Sequence, residues 1–210
     1  MNTPFKNVIS THEELRSIFG NPSEMVKRKV ITSIDSHCRD FIAQSPFLVL
    51  ATAGNVGTCD VSPRGDAPGF VSIIDDKHLL IPERPGNRRM DSIENILTNP
   101  EVGLLFFIPG LGETLRVNGK ACIVQDEDLL EGMAVRGKAP LLGIGVQVEE
   151  CFIHCAKALI RSGLWNPASW QEKEQLPSPS KILTDHIKMT EYSVKEMEEM
   201  LKLSYEKGLY

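Results

Sequence analysis

Three arginines crowd the stretch Glu83-Arg84-Pro85-Gly86-Asn87-Arg88-Arg89-Met90-Asp91, which follows an apolar run ending at Ile81-Pro82. A guanidinium grips a phosphate through two parallel N–H bonds, and a helix N-terminus offers unpaired N–H groups to the same anion. A helix starting near Asp91 would therefore complete a phosphate pocket. The same arginines would equally serve as a solvated basic turn that balances Asp91 and Glu94. A second charged tip, Ser62-Pro63-Arg64-Gly65-Asp66, holds an arginine between a proline and a glycine.

Other chemistries lack their residues. Gly132 to Ala139 matches the spacing of a phosphate loop up to its last position, where Ala139 replaces the hydroxyl that would bind magnesium. Gly110-Leu111-Gly112 and Gly143-Ile144-Gly145 lack the third glycine of a dinucleotide fingerprint. There is no Gly-x-Ser-x-Gly elbow. Cys151-Phe152-Ile153-His154-Cys155 carries metal-ligand types, but strand alternation would put the cysteines on one face and His154 on the other. No metal site is expected.

The elements that position these residues read as mainly β. Short apolar runs at Phe47–Thr52, Thr58–Ser62, Gly69–Ile73, His78–Pro82, Val102–Ile108, Leu115–Val124 and Ile144–Ile153 are separated by turn-like pieces. That spacing predicts antiparallel hairpins in a barrel or sandwich. Helices are predicted at Ile34–Ala43, Asp91–Leu97, Asp126–Val135, Ala156–Arg161 and Ser193–Tyr205, and Thr11-His12-Glu13-Glu14 is a capping box. Leu176 to Ser180 reads as a linker. In the last helix Val194, Met197, Leu201 and Tyr205 form a narrow apolar stripe, for packing on the barrel or on a second subunit. The expected organisation is a helical segment over 1–45 packed on the barrel, the barrel over 46–167, and a linker with a helical tail over 168–210.

Composition narrows the partners. Among 210 residues, 23 lysines and arginines face 28 acidic residues, a net charge of −5, with 41% hydrophobic and 24% charged residues. A pI near 5.6 argues against general nucleic-acid binding. No apolar stretch reaches the roughly 18 residues of a membrane span, and residues 1–5 lack the features of a secretory signal. A cytoplasmic protein with its five cysteines reduced and mostly buried is expected.

The two arginine-bearing hairpins, taken with further blocks, resemble the pyridoxamine 5′-phosphate oxidase-like FMN-binding split-barrel family. The likeness is to its FMN-binding branch rather than to the true oxidases. It runs through Ser45-Pro46-Phe47-Leu48, Ser62 to Asp66, Pro85 to Arg89, Leu115 to Gly119, His154 to Ala158 and Ser162 to Trp165, about positions 30 to 167. The resemblance implies a six-stranded antiparallel split β-barrel, a homodimer, and FMN in clefts between the subunits. It implies that Arg88 and Arg89, with Asn87 beside them, hold the flavin phosphate. Ile81 and Pro82 would meet the flavin through backbone and ring packing, and Arg64 would approach the ring and ribityl chain. Lys157 and Trp165 would make contacts from the partner subunit. Read from the residues alone, Lys157 could equally be a helix-surface lysine, and Trp165 could anchor the tail in the core.

The true oxidases end in an arginine- and histidine-bearing substrate segment, whereas Leu203 to Tyr210 has nothing similar. Oxidation of vitamin B6 is therefore not implied. The expectation is an FMN-dependent oxidoreductase that transfers hydride to or from an unidentified small molecule, with no catalytic residue assigned. A non-enzymatic flavin-binding or storage protein, or a haem or deazaflavin binder on the same fold, is the alternative.

Overall fold

The computed structural model describes residues 4–188 and 191–210; residues 1–3 of the N-terminal segment and 189–190 of the tail lie outside the described residues. Three helices precede the first strand: α1 (His12–Phe19), α2 (Glu24–Arg28) and α3 (Ser36–Gln44). The capping box forms, since the Thr11 hydroxyl accepts the Glu14 N–H at 3.2 Å and the Glu14 carboxylate accepts the Thr11 N–H at 3.2 Å. Neither α1 nor α2 buries a residue. Docking falls to α3, which inserts Cys38, Phe41 and Ile42, and to a bridge between Ile31 and Cys151.

The strands are β1 (Phe47–Ala53), β2 (Cys59–Gly65), β3 (Ser72–Ile73), β4 (His78–Pro82), β5 (Glu101–Phe107), β6 (Thr114–Val124) and β7 (Gly143–His154), with α4 (Asp91–Thr98) and α5 (Glu127–Glu131) between them. They form one sheet in the order β2-β1-β5-β6-β7-β4-β3. Every pairing in it is antiparallel. Alternate residues of the central strands, among them Leu48, Leu50, Leu104, Phe106, Val117, Ile144 and Val146, share one core with Ile93 and Ile96 of α4.

Each of the seven predicted runs contributes a strand, one more than the six that the resemblance implies, and the Gly69–Ile73 run pairs only at its last two residues. Gly69, at φ 80°, donates its N–H to Ser45 and turns the chain before Ser72 and Ile73 meet Leu80 and Leu79. The β6–β7 register slips at Asn118/Gly119. A side chain at Gly119 would drive its Cβ into the Gln147 carbonyl, so the bulge needs glycine there.

No backbone pairing joins the two ends of this sheet. Side chains instead link β2 to the segment just after β4, the strand next to the other edge. Arg64 Nη1 of β2 lies 2.8 Å from Glu83 Oε1 just after β4, and Arg84 Nε lies 2.7 Å from Asp66 Oδ2 just after β2. These crossed ion pairs close the curled sheet into a split barrel. α4 covers the polar inner face of β2: Ser92 Oγ lies 2.9 Å from Ser62 Oγ and donates to Asp60 Oδ2 at 2.5 Å.

After β7 come α6 (Lys157–Ser162), α7 (Pro179–Ile187) and α8 (Val194–Lys207), and α7 packs on α8. The stretch read as a linker thus starts a helix. Ser178 caps it by accepting the Lys181 N–H, and Pro179 stands in the first turn, where its missing N–H costs nothing. The apolar stripe of α8 is narrower than expected, for only Met197 is buried and Tyr205 is largely exposed.

The helix predicted to reach Val135 stops at Glu131. Arg136 and Gly137 then adopt positive φ, with Val135 and Lys138 paired across them as in a tight hairpin turn.

The cysteine expectation also needs correction. β7 ends at His154, so Cys155 lies beyond the alternating strand and is exposed while Cys151 is buried. Cys59 and Cys122 are exposed as well, and Cys38 packs against Cys151 with the sulfurs 3.2 Å apart. A thiol reagent added to native protein should therefore titrate three groups quickly and the remaining two only on unfolding. Five fast thiols would contradict this packing.

Candidate functional site

Loop 83–90 runs from the end of β4 to α4 and carries Arg84, Asn87, Arg88 and Arg89. Two non-glycine residues in it, Arg88 and Met90, hold φ at 61°. Left-handed backbone costs roughly 1–2 kcal/mol for each such residue, so the loop is strained beside its arginines. Met90 stands at the N-cap of α4 and supplies no side-chain bond to the helix. The first-turn amides of α4 are therefore left without the usual cap, next to two cations.

Arg88 is exposed and makes no hydrogen bond or ion pair among the described residues. Arg89 reaches Asp91 at 2.5 Å, and the Asn87 side-chain oxygen accepts the Arg89 N–H at 3.0 Å. Asp91 holds the Arg89 guanidinium more firmly protonated than usual. An exposed pair of this kind contributes little to stability, so Arg89 can leave Asp91 for a stronger anion.

Arg64 is mostly buried, as is Glu83. Their ion pair uses only some of their capacity: Arg64 Nε and Glu83 Oε2 are buried without partners. An unsatisfied donor and acceptor on one buried pair are costly unless another group meets them. Ile81 and Pro82 are fully buried, so their side chains belong to the core and only their backbone could face a ligand.

Beyond this pair lies a cleft of about 230 Å³ lined by Asp66, Phe70, Arg84, Met133 and Val135. Burial by itself would push the Asp66 carboxyl up. The Tyr210 phenol, the Ala67 N–H and the Arg84 guanidinium outweigh it together and hold the group below the usual range. The Asp66–Arg84 interaction had no signal in the sequence, because it depends on how the sheet curls.

Lys157 and Trp165 stand elsewhere in the chain. Trp165 donates its indole N–H to the Leu111 carbonyl at 2.8 Å and lines a separate cleft of about 370 Å³ with Gly110, Ala156 and Leu159. Lys157 is exposed in the first turn of α6. Within one chain the structure thus joins Arg64 to the β4 end and gathers Asn87, Arg88 and Arg89 on one loop, but leaves Trp165 at another cleft and Lys157 exposed on α6.

His154 is partly buried with its Nε2 unpartnered. Burial, then Arg116 and Lys29, lower its pKa. An unfolded chain therefore takes up this proton more readily than the folded one. The stabilisation is complete above the ordinary histidine value of about 6.5 and is lost as the pH falls from there through the lowered folded value. Changing His154→Phe should flatten that region of the stability–pH curve in chemical denaturation, and an unchanged curve would contradict the assignment.

The family profile described as Pyridoxamine 5′-phosphate oxidase matches residues 34–155, more than half of the chain. The chain belongs to that family. The matched region of this pyridoxamine 5′-phosphate oxidase family member runs from just before α3 to just after β7, and so contains both arginine-bearing hairpins. No curated protein matches the sequence.

Solved structures similar to this family member include HupZ of Group A Streptococcus, at 20% identity over 57% of this chain and 93% of that one, with a TM-score of 0.48. A putative pyridoxamine 5′-phosphate oxidase of Lactobacillus delbrueckii is 21% identical over 58% and 95%, with a TM-score of 0.45. An FMN-binding protein of Syntrophomonas wolfei is 12% identical over 67% and 95%, with a TM-score of 0.46. Among the described residues no helix is long and apolar enough to cross a membrane.

Proposed function

We propose that the protein binds FMN and uses it for hydride transfer to or from a small molecule, as a homodimer with the flavin between subunits. The observation that carries the reading is the uncapped, strained start of α4 beside Arg88 and Arg89. A phosphate there would accept from amides that no side chain caps and from a guanidinium without another partner among the described residues. Family membership supports a flavin as the bearer of that phosphate. The unpartnered Arg64 Nε and Glu83 Oε2 fit a ligand with both acceptor and donor groups.

When bound, FMN would supply the two-electron chemistry. The chain's own residues would do the holding: Arg88 and Arg89 on the phosphate, with Asn87 fixing the Arg89 backbone, and Arg64 as a cation kept in place by Glu83. Lys157 and Trp165 would serve this site only from a partner chain. A homodimer is supported by the outer sheet face, where Val61 is 67% and Phe47 39% exposed and Phe107 packs 5.9 Å from Phe47 between ring centres. Light scattering should give twice the chain mass, and a monomer would remove the partner-subunit role.

The test of the cofactor is the visible spectrum of freshly purified protein, with mass analysis of what heat releases. Flavin bands with an FMN mass are expected. A Soret band, a deazaflavin mass, or a colourless protein that takes up no added FMN would overturn the reading. Reduction by NADH or NADPH followed by turnover with an acceptor would separate an oxidoreductase from a flavin store.

A further inference from the structure

At the rim of the Asp66–Arg84 cleft lies a side chain from far along the sequence. The Tyr210 phenol donates to Asp66 Oδ1 at 2.8 Å. Its ring stands 5.0 Å from the Arg136 guanidinium carbon and 5.7 Å from that of Arg84. Lys138 Nζ donates to the Tyr210 main-chain oxygen at 2.8 Å. Phenol, ring and main-chain oxygen thus each meet a group of matching character, and the Asp66 side chain that receives the phenol is only 3% exposed. Arg84 is fixed in turn by Asp66 and by the Met133 carbonyl at 3.0 Å. Space remains beyond Tyr210, since the cleft of about 230 Å³ is bounded by Asp66, Phe70, Arg84 and Met133 and not by the tyrosine.

We propose that this rim is a binding site for a small phenolic carboxylate, and that Tyr210 is its built-in occupant, displaced when the free ligand enters. The inference goes beyond the flavin reading and uses none of the residues assigned to the flavin. A buried carboxylate favours a hydroxyl donor, because a ligand without one leaves Asp66 only Arg84 and the Ala67 N–H and forfeits a charge-assisted bond. Two guanidinium groups favour an aromatic face, and with the Lys138 ammonium they favour a negative charge at the ligand's other end. Asp66 raises the Tyr210 phenol pKa, in keeping with a phenol that keeps its proton and donates it. A tethered occupant competes at high effective concentration, so its removal should strengthen the apparent affinity of any ligand that makes the same contacts.

The test is calorimetric titration of 4-hydroxyphenylacetate into full-length protein and into Tyr210→Ala, with phenylacetate as the probe lacking the hydroxyl. Tyr210→Ala should bind the hydroxylated acid at least tenfold more tightly than the unaltered protein and at least tenfold more tightly than phenylacetate. Lys138→Ala added to Tyr210→Ala should weaken binding severalfold. Absence of heat in Tyr210→Ala, equal affinity in both proteins, or equal affinity for both acids would overturn the proposal and leave Tyr210 a packing contact. Far-UV circular dichroism confirms that each variant is folded. FMN content is measured on the same samples, so a protein that never carries FMN defeats the flavin reading while the titration still decides this one.

Discussion

Replacing Arg88 and Arg89 together by alanine should leave a folded protein that purifies nearly free of FMN. Both side chains are exposed at the start of α4, so their loss removes no core contact. Each charge-assisted bond to phosphate contributes about 1.5–3 kcal/mol. Losing two should weaken FMN binding on the order of 10²–10⁴-fold. Flavin fluorescence titration of the apoprotein reads this directly. Riboflavin, which has no phosphate, should bind the double variant and the unaltered protein alike. A double variant that retains a full flavin complement would show that the phosphate lies elsewhere, and equal losses for riboflavin and FMN would point to a disrupted loop instead.

Glu83→Gln should destabilise the fold far more than an ordinary surface change. Glu83 and Arg64 are both mostly buried, and removing one charge strands the other where water reaches it poorly. Breaking a buried pair costs about 3–5 kcal/mol, which in a chain of this size lowers the melting temperature by roughly 6–20 °C. Arg64→Met with Glu83→Leu removes both charges and should recover most of that loss, since an apolar pair of similar volume is often neutral. The recovered protein should still bind FMN poorly, because the donor at Arg64 is gone. Thermal melts of the single and double variants, read beside their FMN affinities, separate the structural effect from the binding effect. A Glu83→Gln protein that melts within about 1 °C of the original would contradict the buried pair.

Much of this fold was legible because strands announce themselves locally. The His78–Pro82 strand was bounded correctly at both ends, as its apolar run stops at a charged turn on either side. The start of α4 at Asp91 was legible for the same reason. The Gly69–Ile73 run reads as a strand, yet only its last two residues pair, because Gly69 at positive φ turns the chain before Ser72. Ser178-Pro179 reads as a linker, yet serine before proline is also a helix start, and only packing against α8 decides between them. At the site, the arginine loop stood out by composition. The partners of Arg64 and Arg84 did not, for they come from the curl of the sheet and lie 19 and 18 residues away. Tyr210 was further still from any local signal, 144 residues from the carboxylate it meets.

The crossed pairs at the seam have a consequence for how the molecule comes apart. Backbone ladders yield cooperatively, each bond holding its neighbours in register, whereas Arg64–Glu83 and Arg84–Asp66 can separate independently of each other. Local opening should therefore begin between β2 and β4, with the rest of the sheet intact. Amide exchange would record this as early loss of protection in β3 and the end of β4 while β6 and β7 remain closed. The barrel behaves as a clasp: its hoop is hydrogen-bonded backbone, its fastening is two pairs of charges, and whatever lies under the fastening can enter or leave without the hoop being broken.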